Sequence, residues 1–481
     1  MASSYASRPS VLQYFYQPKG AEGHKCGYCS GKDGNICNGM WLHTLSCEDY
    51  EVLVDRGWRR CGQYGYKPIM NRTCCPLYAI TCDALKFNLS KSQKTVLIKL
   101  RKYLETDSVK DPPTAPPPSQ AESREKCSSG KVAKAKRERA QEAPNRLDES
   151  TLTDVQPPDE PDPPLAEEKT PTKVPSQDSD DTRTKPTPVE LPKRKKKKKT
   201  PTVGATAAAH KAPAKKTVED FISLDTPMIG KAHKLEVKLV QSAPRTKEFE
   251  ETFAASHALF KKYQMVVHNE KEEDCSEEHY TGFLVDSPLQ RTPTGGTGPA
   301  LGSYHQQYYL DGKLVMVGVV DLLPRYVSSV YVFYDPAIMF LSPGVVSALY
   351  EIAYTRQLHA LIPSVEVYCM GYYVHNCQKM RYKGQYRPSF LLCPETYRWQ
   401  PIEKCVPKLD QSKYARLEEE EGHALEPVED YLDRVYIWNG VKDPRVFGSD
   451  RGKTSRQTAL VKEYATLVGS RVSTRAILYC N

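Results

Sequence analysis

A stretch from about residue 105 to residue 217 has a composition that cannot form a packed core. Prolines cluster at Pro116-Pro117-Pro118 and Pro163-Pro164, aromatic residues are absent, and Lys, Glu, Asp, Ser and Thr dominate. Such a segment buries too little apolar surface to offset the conformational entropy lost on ordering. We therefore predict a disordered linker over residues 105–217 that divides the chain.

The linker separates two segments with the residue patterns of folded protein. We predict an N-terminal domain over residues 1–104, a larger domain over residues 218–415 and a C-terminal extension over residues 416–481. No apolar run reaches the ~20 residues of a membrane helix, and the N-terminus lacks a secretory signal. We expect a protein of the cytoplasm and nucleus without a membrane partner.

A run of seven basic residues, Lys193 to Lys199, lies inside the predicted linker. It has three interpretations: a solvated charge run, a nuclear-import signal, or a contact to nucleic-acid phosphates. The net charge of +9 favours a polyanionic partner without identifying one.

Four cysteines have a spacing that suits metal binding. Cys26 and Cys29 form a C-x-x-C knuckle, and the adjacent pair Cys74-Cys75 follows later in the same domain. Four thiolates can hold a tetrahedral zinc ion or an iron–sulfur cluster. The alternative is a reduced C-x-x-C beside two unrelated buried cysteines. Four further cysteines could be ligands or small buried hydrophobes: Cys37, Cys47, Cys61 and Cys82.

The larger domain shows a readable order of elements. Apolar residues at helical spacing predict a helix over residues 248–267, and alternating or continuous apolar runs predict strands. The predicted strands are 303–310, 313–323, 327–334 and 365–374, with a second helix over 344–359 before the last strand. This order predicts an α+β fold with a mixed, mainly antiparallel sheet. It is similar to the core of the GNAT acyltransferase fold, in which a splayed pair of strands admits the acyl donor.

Several motifs in both parts of the chain together resemble the arginyl-tRNA–protein transferase family. In the N-terminal part they are Cys26-Gly27-Tyr28-Cys29, Asn38-Gly39-Met40-Trp41, Asp55-Arg56-Gly57-Trp58-Arg59-Arg60, Tyr66-Lys67-Pro68 and Thr73-Cys74-Cys75-Pro76. In the C-terminal part they include Ser303-Tyr304-His305-Gln306-Gln307-Tyr308, Gly318-Val319-Val320-Asp321, Tyr334-Asp335-Pro336 and Tyr382-Lys383-Gly384-Gln385-Tyr386-Arg387. The resemblance covers roughly residues 10–104 and 220–415.

The resemblance implies an enzyme that moves arginine from arginyl-tRNA onto the α-amino group of proteins beginning with Asp, Glu or oxidised Cys. The new N-terminal arginine is then a degradation signal for the ubiquitin system. The resemblance also implies a GNAT-like C-terminal domain, no use of ATP or coenzyme A, and an iron–sulfur or zinc centre on the four cysteines named above. Because the aminoacyl ester is already activated, we expect that centre to be structural or redox-regulatory.

The chemistry needs positioning, a proton acceptor and stabilisation of an oxyanion. We predict Asp321 as the carboxylate that holds the acceptor ammonium, the alternative being a cap on the turn into Pro324, and His305 as a second catalytic candidate. Asp335 and Glu366 are candidates for the donor guanidinium. The remaining predicted substrate-binding residues are Arg59, Arg60, Gln306, Tyr331, Lys379, Lys383 and Arg387.

Two other functions compete. A coenzyme-A-dependent N-acetyltransferase would need a Gly-rich phosphate loop, which the segment Asp335 to Gly344 lacks. A non-catalytic nuclear zinc-binding adaptor accounts for the N-terminal half alone and leaves the C-terminal domain without a role.

Overall fold

The computed structural model describes residues 8–108 and 216–480, apart from Ser30, Thr297, Glu421, His423 and Lys442. The predicted linker, including its basic run, lies outside the described residues except for 105–108 and 216–217. Within the described ranges, no helix has the length and apolarity needed to cross a membrane.

Six helices exceed two turns: α1 Cys47–Asp55, α2 Lys91–Thr106, α3 Lys247–His268, α4 Pro343–Leu361, α5 Ile402–Gln411 and α6 Ser455–Val468. Four of them begin at a side-chain cap, in which Ser46, Ser90, Thr246 or Thr454 accepts a backbone N–H of the first turn. One-turn helices lie at Glu277–Tyr280, Gln378–Arg381 and Ser470–Ser473, a π-helical turn at Thr281–Val285, and short 3₁₀ turns at Glu272–Cys275, Pro336–Leu341, Tyr382–Gln385, Val428–Asp430, Leu432–Arg434 and Phe447–Ser449.

Seventeen strands are described. Eight belong to one sheet and nine to the other. The first sheet contains β1 Val11–Tyr14, β2 Gly23–His24, β3 Asn35–Thr44, β4 Arg59–Cys61, β5 Tyr64–Pro68, β15 Tyr436–Trp438, β16 Arg445–Val446 and β17 Ile477–Tyr479. The second contains β6 Tyr78–Asp83, β7 Met228–Ile229, β8 Lys234–Ala243, β9 Gly302–Leu310, β10 Lys313–Leu322, β11 Tyr326–Tyr334, β12 Val367–Tyr373, β13 Ser389–Leu392 and β14 Trp399–Pro401.

The predicted meander and crossover are confirmed. Strands β9, β10 and β11 pair antiparallel in sequence order, and α4 then connects β11 to the parallel strand β12. The turn between β9 and β10 consists of Asp311 and Gly312, both at positive φ, as a tight hairpin requires. The predicted α+β class with mixed, mainly antiparallel sheets is likewise confirmed, because β11–β12 is the one parallel pair along the nine-stranded order.

Both sheets mix strands from the two sides of the undescribed segment, which differs from the predicted division into separate domains. Strand β6, from the N-terminal part, lies between β12 and β13 of the C-terminal part. Strand β17, from the predicted extension, lies between β15 and β1. Sequence order does not report such pairing, because strand neighbours in a sheet need not be neighbours in the chain.

Strands β11 and β12 separate part-way along their length. Their parallel pairing covers Tyr326 to Ser328 on β11 and ends at Cys369 on β12. Beyond that point β11 continues along β10, and β12 continues along β6. Register shifts occur on both strands near the separation, at Ser329–Tyr331 and at Cys369–Tyr372. Because a bulge bends its strand, these shifts open a wedge in the middle of the sheet.

Candidate functional site

A cavity of about 270 Å³ occupies this wedge. The strand residues that line it are Ser328, Ser329, Val330, Tyr331 and Val332 of β11 and Met370, Gly371 and Tyr372 of β12. The N-terminal part closes the opposite side with Tyr28, Tyr50, Arg59, Arg60, Cys61 and Tyr66. Tyr263, Phe283, Lys379, Met380 and Lys383 complete the lining. Five predicted site residues therefore meet here: Arg59, Arg60, Tyr331, Lys379 and Lys383.

Arg59 is a buried cation without a carboxylate partner among the described residues. Its Nη1 donates to the carbonyls of Val54 (3.1 Å) and Trp58 (2.7 Å), and its Nη2 donates to Cys369 Sγ (3.1 Å). Its Nε has no hydrogen-bond partner within the described residues. The guanidinium lies 5.5 Å from the ring centroid of Tyr372. A buried cation held by neutral groups favours an anionic ligand.

Arg60, in contrast, is paired with Asp321. Its Nε donates to Asp321 Oδ2 at 2.9 Å, and its Nη2 also contacts Asp321 Oδ1. Ser303 Oγ donates to the same carboxylate at 2.7 Å. Asp321 has no exposed surface and does not line the cavity, whereas Arg60 does. The geometry gives Asp321 the role of holding the Arg60 guanidinium at the cavity wall.

Lys383 lies beside the bend of β12. Its Nζ donates to the carbonyls of Met370 (2.8 Å) and Tyr372 (3.1 Å), on either side of Gly371. Gly371 has φ +71°, and the Lys383 ammonium lies 4.0 Å from the position of a Cβ there. Lys383 therefore brings positive charge to the wedge and stabilises the bend of β12 that opens it.

The structure places the other predicted residues away from the cavity. His305 is fully buried in β9, where one ring nitrogen contacts the Leu284 carbonyl at 3.0 Å. Burial lowers the pKa of His305 to about 4, and the positive charge of Arg60 acts in the same direction. Gln306, also buried in β9, accepts a hydrogen bond from Tyr308.

Three further predicted residues make contacts unrelated to the cavity. Asp335 caps the 3₁₀ turn that follows β11 and pairs with Lys262 and Lys313. Glu366 is exposed just before β12, and Arg387 is exposed and pairs with Glu403. Neither Asp335 nor Glu366 lines the cavity.

Sequence reasoning did not identify Glu351, a buried carboxylate behind the cavity wall. Glu351 accepts hydrogen bonds from Ser347 (2.6 Å) and Tyr368 (2.7 Å), and the hydroxyl of Ser329, which lines the cavity, is near enough to lower the pKa of Glu351. Burial raises the pKa of Glu351, opposed by these hydroxyl groups. One sequence feature pointed to this position: Gly318 interrupts the apolar run of β10, and a glycine within a strand often marks the close approach of another group. A Cβ at Gly318 would lie 3.0 Å from Glu351 Oε1.

The four predicted cysteines lie close together, and Tyr28, between the first two in sequence, lines the cavity. The Sγ atoms of Cys26, Cys29, Cys74 and Cys75 all lie within 4.8 Å of one another. A backbone hydrogen bond from Cys74 to the Gly34 carbonyl holds the two pairs together. Four soft thiolate donors at this separation suit a metal centre. Cys37, Cys47, Cys61 and Cys82 are buried and lie outside this group.

Both parts of the chain are similar to known proteins. The family model described as arginine-tRNA-protein transferase, N terminus, matches residues 24–95, and the model described as its C terminus matches residues 255–393. Arginyl-tRNA–protein transferase 1 of Drosophila melanogaster is 35% identical, covering 97% of this chain and 99% of that protein. Arginyl-tRNA–protein transferase 2 of Arabidopsis thaliana is 33% identical, covering 82% and 76%.

More distant similarities cover less. An aspartate/glutamate leucyltransferase of Pseudomonas fluorescens strain Pf0-1 is 37% identical over 26% of this chain and 45% of that protein. A solved structure, the C-terminal domain of a putative lysylphosphatidylglycerol synthetase from Agrobacterium fabrum, matches at 10% identity over 35% of this chain and 48% of that chain. Its TM-score of 0.20 is too low to support a shared fold.

The cationic cavity and these relatives together define an aminoacyl transferase that takes its acyl group from aminoacyl-tRNA. The chain belongs to the arginyl-tRNA–protein transferase family.

Proposed function

We propose that the chain transfers arginine from arginyl-tRNA to proteins whose N-terminal residue is Asp, Glu or oxidised Cys, and so marks them for the ubiquitin system. The observation that supports these acceptors is Arg59, a buried guanidinium that faces the cavity without a carboxylate partner among the described residues. The carboxylate of an acidic N-terminal residue would supply that partner. An uncharged side chain would leave the cation unpaired, which costs affinity.

The wedge between β11 and β12 suits the activated end of the donor. The splayed strands present backbone groups there, as expected for a GNAT-like core, and Lys383 places positive charge beside them. Attack of the acceptor amine on the ester carbonyl gives a tetrahedral oxyanion, and fixed positive charge close to that oxygen stabilises it. The predicted donor-guanidinium residues, Asp335 and Glu366, stay predictions.

The acceptor amine needs only a modest proton acceptor, since an α-amino group has an ordinary pKa of ~7.7–8.0. Ser329 lies at the cavity wall with Glu351 behind it. The Ser329 hydroxyl can therefore pass a proton from the amine to the Glu351 carboxylate. Burial already raises the pKa of that carboxylate, which favours its accepting a proton.

We propose that the cysteine quartet holds one metal ion rather than an iron–sulfur cluster. A Zn–S distance of ~2.3 Å places tetrahedral sulfurs about 3.8 Å apart, within the observed 4.8 Å. Thiolates on separate irons of a cluster lie farther apart. Bound metal would fix the loops that carry Tyr28, a cavity residue, and no step of the transfer needs it. Elemental analysis of purified protein decides: one zinc per chain is expected, and iron with acid-labile sulfide would contradict it.

The transferase test uses purified chain, arginyl-tRNA with labelled arginine, and matched peptides beginning with Asp, Asn or Ala. We expect label on the Asp peptide alone, and loss of labelling after RNase treatment. In Arg59→Gln, transfer to the Asp peptide should fall about 10- to 100-fold, because a hydrogen-bonded charge pair is lost. The surface variant Arg451→Gln, at an exposed side chain without a predicted role, is the matched control. Equal labelling of Asp and Asn peptides by the unaltered protein would refute the proposed acceptors.

A further inference from the structure

A second cavity, of about 190 Å³, lies on the opposite side of β5 from the wedge. Successive side chains of a strand point to opposite faces, so Tyr66 reaches the central cavity and Lys67 reaches this one. Its polar wall contains Arg56, Lys67 and Asn38. Its apolar wall comes from the segment between β5 and β6, from β13 and from α6: Ile69, Met70, Leu77, Leu392 and Leu467.

Lys67 is a buried ammonium with spare donors. Lys67 is only 8% exposed, and its Nζ donates a hydrogen bond to the Tyr397 hydroxyl at 2.7 Å. An ammonium group has three N–H donors, and no ion pair within the described residues includes Lys67. Two donors are thus available to a ligand in the cavity.

A second cation lies beside it. The guanidinium carbon of Arg56 is 4.4 Å from the Tyr397 ring centroid, and Lys67 Nζ is 4.1 Å from the same centroid. Within the part of the chain that the structure describes, the Arg56 side chain donates only to main-chain carbonyls, those of Thr466 and Leu467. Burial, and to a smaller extent the charge of Arg56, lowers the pKa of Lys67 well below its ordinary value, so an anion bound beside this amine would stabilise its protonated form. Two cations that share one tyrosine ring, Lys67 buried and Arg56 half-buried, favour a bound anion.

The walls indicate the chemistry of that anion. A strongly hydrated phosphate would lose its water against an apolar surface made of leucine, isoleucine and methionine side chains. A carboxylate attached to a small apolar group satisfies both parts of the site, because its two oxygens can meet the cations while its apolar body contacts those side chains. We propose that this cavity is a binding site for a small carboxylate with an apolar body.

The cavity is also connected to the central site. Gly57 lines the second cavity, and its carbonyl accepts a hydrogen bond from the Tyr372 hydroxyl at 2.9 Å. Tyr372 lines the central cavity beside Arg59. A ligand that moves the Arg56–Gly57 turn would therefore also move the Tyr372 side chain in the central cavity. The proposal does not depend on which acceptors the enzyme uses, since none of its binding residues lines the wedge.

The test is calorimetric titration of the full chain with butyrate and, separately, with butyramide at constant ionic strength. Butyramide has the same shape without the charge. We expect saturable binding of butyrate alone. Lys67→Met should weaken it about tenfold or more, as expected for loss of a charged hydrogen bond. Lys231→Met is the matched control, because the Lys231 side chain is 86% exposed.

Four outcomes would overturn the proposal: no saturable butyrate binding, equal binding of butyramide, unchanged affinity in Lys67→Met, or stronger binding of inorganic phosphate than of butyrate. Thermal unfolding of each variant checks that it is folded. Replacement of a buried unpaired charge by an apolar side chain should not lower stability. If Lys67→Met does not fold, Arg56→Gln takes its place, with several-fold weaker binding expected.

Discussion

At the scale of single residues, the Arg60–Asp321 pair tests whether the predicted catalytic carboxylate is structural. Asp321→Asn leaves the Arg60 guanidinium buried without its partner, so we expect the free energy of unfolding to fall by about 3–5 kcal/mol. Denaturant unfolding measures this. The double variant Arg60→Met with Asp321→Leu should regain stability but lack transferase activity, because it removes the Arg60 guanidinium from the cavity wall. An Asp321→Asn protein of unchanged stability with no activity would instead support direct catalysis by Asp321.

His305 makes a second prediction, on pH dependence. Its pKa is about 4 in the folded chain, below the ~6.5 of an unfolded histidine. Between these values the unfolded chain binds the proton first, so stability falls as the pH is lowered through this window. Between pH 7 and pH 5, His305 should contribute about 2 kcal/mol to the fall in the free energy of unfolding of the unaltered chain. The variant His305→Gln should lack this contribution, so its free energy of unfolding should fall by that much less. Urea unfolding at both pH values checks this, and parallel curves would contradict the assignment.

Residue-level prediction succeeded where the pattern was local. The spacing of Cys26, Cys29 and Cys74-Cys75 identified the quartet, and the cluster of arginines after Asp55 identified two cavity residues. Residue-level prediction was less informative for Asp321, since the sequence does not indicate which side chain forms an ion pair with a buried carboxylate. Arg60 is 261 positions away along the chain.

At the scale of elements, β17 tests whether the last segment is an accessory extension. Ile477 has no exposed surface and pairs with both β1 and β15. Ile477→Asp buries a charge in the sheet, so we expect a loss of about 3–5 kcal/mol in the free energy of unfolding. Val441→Asp, at a side chain 85% exposed, is the control and should change it by less than about 0.5 kcal/mol. Equal effects would mean that β17 is dispensable.

Periodicity predicted the elements from α3 to β12 to within a few residues, because each is defined by its own side chains. It did not predict where β6 pairs. The run Tyr78-Ala79-Ile80-Thr81-Cys82 is buried throughout, as in a central strand, but a buried run carries no mark of its partners. The separation of β11 and β12 was an expectation from family resemblance, and it depends on bulges that the sequence does not announce.

At the scale of the whole molecule, the shared sheets predict that neither side of the undescribed segment folds alone. Fragment 1–108 would leave both edges of β6 unpaired, and fragment 216–481 would lack the strand between β12 and β13. We expect each fragment to be insoluble when expressed singly. Co-expression should give a soluble complex with transferase activity, measured by size-exclusion chromatography and arginine transfer. A soluble, monomeric fragment 1–108 with native-like circular dichroism would contradict this.

The position of β6 also determines when the central sheet can form during synthesis. This strand emerges early, but its two neighbours are made only once residues 367–392 have left the ribosome. Until then the backbone N–H and C=O groups along both edges of the apolar strand β6 are unpaired. Such unpaired edges expose the nascent chain to aggregation, and pairing between segments so distant in sequence makes folding slow. The length of the segment predicted from its composition to be a disordered linker should matter much less, since each doubling of such a loop costs only about 0.6 kcal/mol. Natural variation in that length should therefore be tolerated, whereas substitutions in β6 should reduce the yield of folded enzyme.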